Sequence, residues 1–233
     1  MAAYPRRYEP CLALRARDIP CLVWFEDALA SYGVPTVVFD LYLLVPDIDE
    51  AANALAEKGW TDAGPQTATS HPLKAPIPQR RLNPPNFTPP DWKPRPGPPS
   101  TEPPGPTTTV LLPATDWNVP VEKLRLSSLE DFIPPLALLL DALIDSLLDA
   151  PLGTLLWLRL NTYVSYLYGN CASLKTQDFA TNLQLDHRQF HYDALSKWIS
   201  GIPFLREQRQ IRDEIREGKR QPQRNAWYFQ PTY

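Results

Sequence analysis

This chain of 233 residues is short of methionine (one), histidine (three), cysteine (three) and glycine (nine), and each scarcity closes a route. Cys11, Cys21 and Cys171 are odd in number and far apart, so they make no disulfide framework, and a reducing compartment is the simpler expectation. No stretch reaches about 18 uninterrupted apolar residues, so nothing reads as a membrane span. The opening MAAYPRRYEPCLALRARDIP scatters charge where a signal peptide keeps an apolar core. A cytoplasmic protein is therefore expected. A formal net charge of −3 gives no general pull towards nucleic acid or an anionic membrane. No nucleophile elbow occurs, which removes the Ser-His-Asp hydrolases built on it.

Proline, by contrast, is plentiful. Of 28 prolines, 14 fall between Pro72 and Pro106. With few aliphatic residues among them, the stretch 64–106 cannot bury enough apolar surface to offset its ordering entropy, and it reads as a long extended or disordered insertion. Within it, Pro96-Gly97-Pro98-Pro99 could serve as a polyproline II docking peptide for a protein partner. The chain as a whole, at 43% hydrophobic, has the composition of a folded protein.

Organisation centres on residues 21–60. Glu26 to Tyr32 is helix-forming, and Gly33 and Pro35 end it. Thr36 to Val45 reads as a strand. On it Val37, Phe39, Leu41, Leu43 and Val45 share one face, and Thr36, Val38, Asp40, Tyr42 and Leu44 the other. Apolar on both sides, it should be a central strand. Asp40 is the exception. An unpaired carboxylate there costs several kcal/mol by rough estimate, so it needs a partner or a cleft. Asp47 then caps a helix, with Glu50 three residues on, that runs to about Lys58 and stops at Gly59.

Ser31-Tyr32-Gly33, the strand carrying Asp40-Leu41-Tyr42, and Lys58-Gly59-Trp60 together resemble the nucleotidyltransferase-like superfamily. The whole chain is also similar to uncharacterised fungal proteins. The superfamily resemblance spans about forty residues. It implies an α+β fold, a small mixed sheet with flanking helices, followed by a helical half that completes the cleft. It also implies Mg²⁺-dependent transfer from a nucleotide, with Asp40 as the first acid of an Asp-x-Asp pair. The departures are specific. Trp24-Phe25-Glu26 stands where the family has a phosphate-binding Gly-Gly or Gly-Ser turn, and bulk there blocks close approach of backbone N–H groups. Tyr42 replaces the second metal-binding acid. The later strand, Thr109-Val110-Leu111-Leu112, brings no third carboxylate; Asp116 lies beyond it. Two-metal chemistry needs those acids.

The expectation is a divergent member without standard nucleotidyl transfer. It would bind a nucleotide, another small molecule or a protein partner around Asp40, with Glu26, Tyr42, Asp116 and Trp117 as lining residues. The alternatives are an active enzyme whose Mg²⁺ is held by Asp40 with Glu26, Asp47 or Asp116, or a scaffold acting through the proline-rich segment.

The domains expected are 1–125, with the insertion at 64–106, and a helical domain over 126–233. In the latter, Leu136 to Leu148 carries Asp141, Asp145 and Asp149 on one face, which reads as solvated. Leu155 to Leu167 resumes the helix with packing aromatics. Asp178 to Trp198 reads as a third helix, with His187 and His191 one turn apart; a structural pair outweighs a metal site there. Leu205 to Gly218 reads as an exposed helix laced by i,i+4 charge pairs. The aromatic tail 225–233 is expected to fold back. Trp117 reads either as a core lid or as a cleft wall.

Overall fold

The computed structural model describes residues 6–64, 78–87, 106–123, 132–196 and 201–224. The docking tetrad at 96–99, most of the insertion, and the tail lie outside these residues. Contacts group the described chain into two compact units. One comprises 6–27, 37–64, 78–87, 106–123 and 132–133; the other comprises 28–36, 134–196 and 201–224. The architecture is α+β: a five-stranded mixed sheet with flanking helices, and a set of C-terminal helices.

In the first unit, helix α1 (Glu9–Arg15) precedes strand β1 (Leu22–Trp24), and α2 (Glu26–Ser31) starts where β1 ends. Strand β2 (Leu41–Val45) leads into α3 (Ile48–Ala56), followed by β3 (Thr61–Asp62), β4 (Arg80–Asn83) and β5 (Thr109–Pro113). The strands lie in the order β1-β2-β5-β4-β3. β2 runs antiparallel to β1 and parallel to β5, so it is central as its composition predicts, and all five of its residues are buried. One face of the sheet, with Val23, Leu41, Leu43, Val45, Leu82 and Leu111, forms a core with Cys11 and Leu14 of α1 and Ala51, Ala52 and Leu55 of α3. Each such fully buried aliphatic side chain contributes about 1.5–3 kcal/mol by transfer.

Two expectations need correction here. The strand starts at Leu41, not Thr36, and Val37 and Phe39 are 67% and 36% exposed rather than core. Residues 36–40 have strand composition but no ladder partner: β1 spans only three residues, and β5 begins opposite Leu41. Neighbouring strands, not composition, set where this strand begins. The second correction concerns the insertion: its residues 80–83 are part of the sheet rather than of a free surface segment. Arg80–Asn83 joins the sheet between β3 and β5, burying Leu82 and leaving Arg80, Arg81 and Asn83 half-buried.

The second unit contains α4 (Leu136–Asp149), α5 (Leu155–Asn170), α6 (Arg188–Ser196) and α7 (Ile202–Arg216). Asp178 to Trp198 is not one helix: Gln177–Asn182 and Leu185–His187 are 3-10 turns ahead of α6. Polar residues early in this run bond locally, Thr181 Oγ1 to the Asp178 carbonyl at 2.8 Å for example, and so favour turns over a continuous helix. Tyr32 donates its hydroxyl to the Pro134 carbonyl at 2.6 Å, tying 28–36 into this unit.

At the start of α3, Asp47 accepts from the backbone N–H of Asp49 at 2.8 Å and of Glu50 at 2.9 Å, the cap its position predicts. Asp47→Ala should cost about 1 kcal/mol, read as a lowered urea midpoint at unchanged slope.

Candidate functional site

Alternation along β2 puts Tyr42 and Leu44 on the face opposite the aliphatic core. Register extends that face sideways, with Trp24 beside Tyr42, Tyr42 beside Val110, and Val110 beside Arg81. Asp40, one residue ahead of β2 and in phase with Tyr42, meets Arg81 there. The Arg81 Nη2 donates to the Asp40 carboxylate at 2.9 Å, and the two side chains are 11% and 17% exposed. Arg7 reaches the same spot from the other side, donating to the Asp40 carbonyl at 3.3 Å. Its main bond is bidentate to Asp27, at 2.6 and 2.7 Å, and both partners are nearly inaccessible. The Tyr8 hydroxyl donates to Asp27 as well, at 3.3 Å. Burial, with the Asp27 charge beside it, pushes the Tyr8 phenol up to about 12. Two guanidinium–carboxylate pairs therefore close the entry to the central strand.

Next to them lies an aromatic cluster. Phe25 contacts Tyr42 and Trp117 edge-on, each at 5.1 Å between ring centres, and Trp24 meets Trp117 at 5.7 Å. All four are 2% exposed or less. Phe25 holds φ at +54°, a left-handed conformation that is costly for a bulky side chain. The turn after β1 thus has the backbone geometry that glycine favours, but it points an aromatic ring into the sheet.

Of the residues singled out from the sequence, Tyr42 and Trp117 come together, joined through Phe25. Glu26 is buried at the start of α2, and Asp116 is exposed on a 3-10 turn (Ala114–Trp117). Asp40 pairs with Arg81. Arg7, Asp27 and Arg81 escaped sequence reasoning. The one available signal was alternation: if Leu82 faces the core of β4, Arg81 must face the side that carries Asp40.

The helical unit has its own buried charge network. Asp141 and Asp145, read as solvated, are 6% and 8% exposed. His187 Nδ1 meets Asp141 at 2.8 Å, and its Nε2 lies 3.6 Å from Asp145, a charge contact longer than a hydrogen bond. Arg212 and Arg216 of α7 reach Asp145 at 3.0 and 2.7 Å, and Arg216 also binds Asp186 at 2.6 Å. α7 is therefore not a purely surface-paired helix: Arg212 is 5% exposed. Burial alone would push the His187 imidazole down, but the bond to Asp141 and the nearby carboxylates of Asp145 and Asp186 outweigh it and raise it to about 9. Asp145 is held well below the ordinary carboxylate range, first by His187 and then by Arg216, against the cost of burial. His191 is separate. Its Nε2 bonds the Thr176 carbonyl and its Nδ1 the Tyr168 hydroxyl, both at 2.9 Å, and burial lowers its pKa. The two histidines thus have different partners, one charged and one neutral. Among the described residues no group of three or more His, Cys, Asp or Glu is placed to hold a metal ion.

Searches for relatives returned no match from any family model, curated protein or solved structure.

Asp27→Ala strands the Arg7 guanidinium in the core, and by the usual cost of breaking a buried pair it should lose about 3–5 kcal/mol in denaturant unfolding. His187 supplies a pH signature. Its folded pKa of about 9 lies above its ordinary 6.5, so its contribution is complete below 6.5 and disappears as pH climbs through 9. For Asp145 the sign is opposite, and its contribution fades only as pH drops below about 4. Thermal unfolding should therefore show a plateau from about pH 4 to 6.5, then a loss on the order of 3 kcal/mol by pH 9 that His187→Gln flattens.

Proposed function

We propose that this chain is a divergent nucleotidyltransferase-fold protein that does not carry out standard nucleotidyl transfer and works by binding a ligand or protein partner beside Asp40. The observation that carries this reading is the Arg81 guanidinium 2.9 Å from the Asp40 carboxylate. A magnesium ion needs clustered acidic oxygens, and a fixed cation on the first of them both uses the ligand and repels the metal. The next position that would carry an acid is Tyr42, a buried phenol packed edge-on to Phe25. Beside it, the neighbouring parallel strand presents Val110. Where the family binds phosphate, Trp24 and Phe25 fill the space with rings.

Order along the chain supports the fold assignment. A short strand, a helix ending at Tyr32-Gly33, a central strand introduced by Asp40 and a helix ending before Gly59-Trp60 follow the family's sequence. The active alternative, with Mg²⁺ held by Asp40 together with Glu26, Asp47 or Asp116, would have to draw Asp47 away from its cap and Arg81 away from Asp40.

The test is a nucleotide-labelling screen in Mg²⁺ and Mn²⁺ on wild type and on Asp40→Asn. No incorporation by either is expected, while Asp40→Asn lowers the unfolding midpoint. Labelling that Asp40→Asn abolishes would overturn the proposal. Calorimetric titration with ATP, GTP, CTP and UTP then separates the bound classes, since flat traces leave a non-nucleotide ligand or a protein.

A further inference from the structure

The outward face of α7 carries charge in an order its own helix disfavours. Arg206 and Arg209 stand in the N-terminal half; Asp213, Glu214 and Glu217 stand at the C-terminal end, with Gln210 between. A helix has partial negative charge at its C-terminus, so the acids of the last turn and cap, Asp213, Glu214 and Glu217, oppose the macrodipole. These six side chains line a shallow, open groove. Local partners satisfy them only in part. Gln210 donates to Glu214 at 2.8 Å, Arg209 donates to the Ala150 carbonyl at 3.0 Å, Glu217 meets Lys219, Arg220 approaches Glu214 at 3.4 Å, and Asp213 meets the buried Arg212 at 3.1 Å. Exposed pairs of this kind add little. Arg206 makes no ion pair among the described residues.

We propose that this face of α7 is where two copies of the chain associate, their helices antiparallel about a two-fold axis. The spacing is self-complementary. Arg206 and Glu217, Arg209 and Glu214, and Gln210 and Asp213 are each centred on the same point of the helix, between Ile211 and Arg212. With the axis through that point, Arg206 faces Glu217 of the second copy, Arg209 faces Glu214, and the Gln210 amide faces the Asp213 carboxylate. Symmetry repeats each contact, as an isologous interface requires. Antiparallel helices also bring the acids at the C-terminal end of one helix beside the arginines of the other. A uniformly acidic partner would match the arginine half and be repelled by the other. A uniformly basic partner has the reverse problem. A second copy satisfies both halves. With charged and amide groups as its only contacts, the association is reversible and salt-sensitive.

Sedimentation velocity on the full chain, over a concentration series at low and high salt, tests this. A monomer–dimer equilibrium is expected at low salt, weakened about tenfold or more as ionic strength approaches about 0.5 M. Arg206→Glu and Glu217→Arg each set like charges opposite one another twice per dimer and should weaken self-association about tenfold. Mixed in equal amounts, the two variants should associate as well as wild type, because each supplies the charge the other lost. Arg206→Ala, a milder change at an exposed position, should weaken the dimer by a smaller factor and guards against misfolding of the reversals. A monomer at every concentration and salt overturns the proposal. So do reversal variants that dimerise like wild type, or a mixture that fails to recover.

Discussion

A guanidinium laid against the acid at the head of the central strand is the constraint on which the αβ unit turns. Asp40 sits where a carboxylate must find a cation, and Arg81 supplies it from β4 at 2.9 Å. That pairing requires β4 to be in the sheet, with Leu82 facing the core and Arg81 facing the opposite side. It also decides the electrostatics of the neighbourhood: an acid already neutralised by a fixed positive charge no longer attracts a divalent ion. Arg7 and Asp27 repeat the arrangement one step deeper, where exposure is lower and the cost of losing either partner is larger.

The helical unit obeys the same rule with more members. Asp141 and Asp145 are buried on α4, so the turn before α6 and the last turns of α7 must bring cations to them. His187, Arg212 and Arg216 fix the positions of three elements around one pair of acids. Such a network is demanding of geometry, because removing one member leaves a charge uncompensated.

Much of the framework was legible beforehand. The central strand, the Asp47 cap and the stops at Gly33 and Gly59 follow from local chemistry, and the fold class follows from their order. Contacts set by tertiary structure were not legible. Strand composition extends back to Thr36, but pairing begins at Leu41, because ladder partners are supplied from elsewhere in the chain. The acids of α4 read as solvated because helical periodicity shows that they share a face without showing what packs on it. Arg80 and Arg81 stand in a proline-rich stretch that gives no hint of their partners; one pairs with Asp49, the other with Asp40. At the candidate site, Asp40 was visible as an anomaly, but its partner, forty-one residues along the chain, was not.

Phe25 shows how tightly that corner is specified. Its backbone would be relaxed as glycine, yet its ring touches Trp24, Tyr42 and Trp117 at once. Trimming it would ease the torsion and leave a void among three aromatics; keeping it fills the space and retains the strain. No single substitution at position 25 can improve both, so the turn is held at a compromise that only a coordinated change in its neighbours could release.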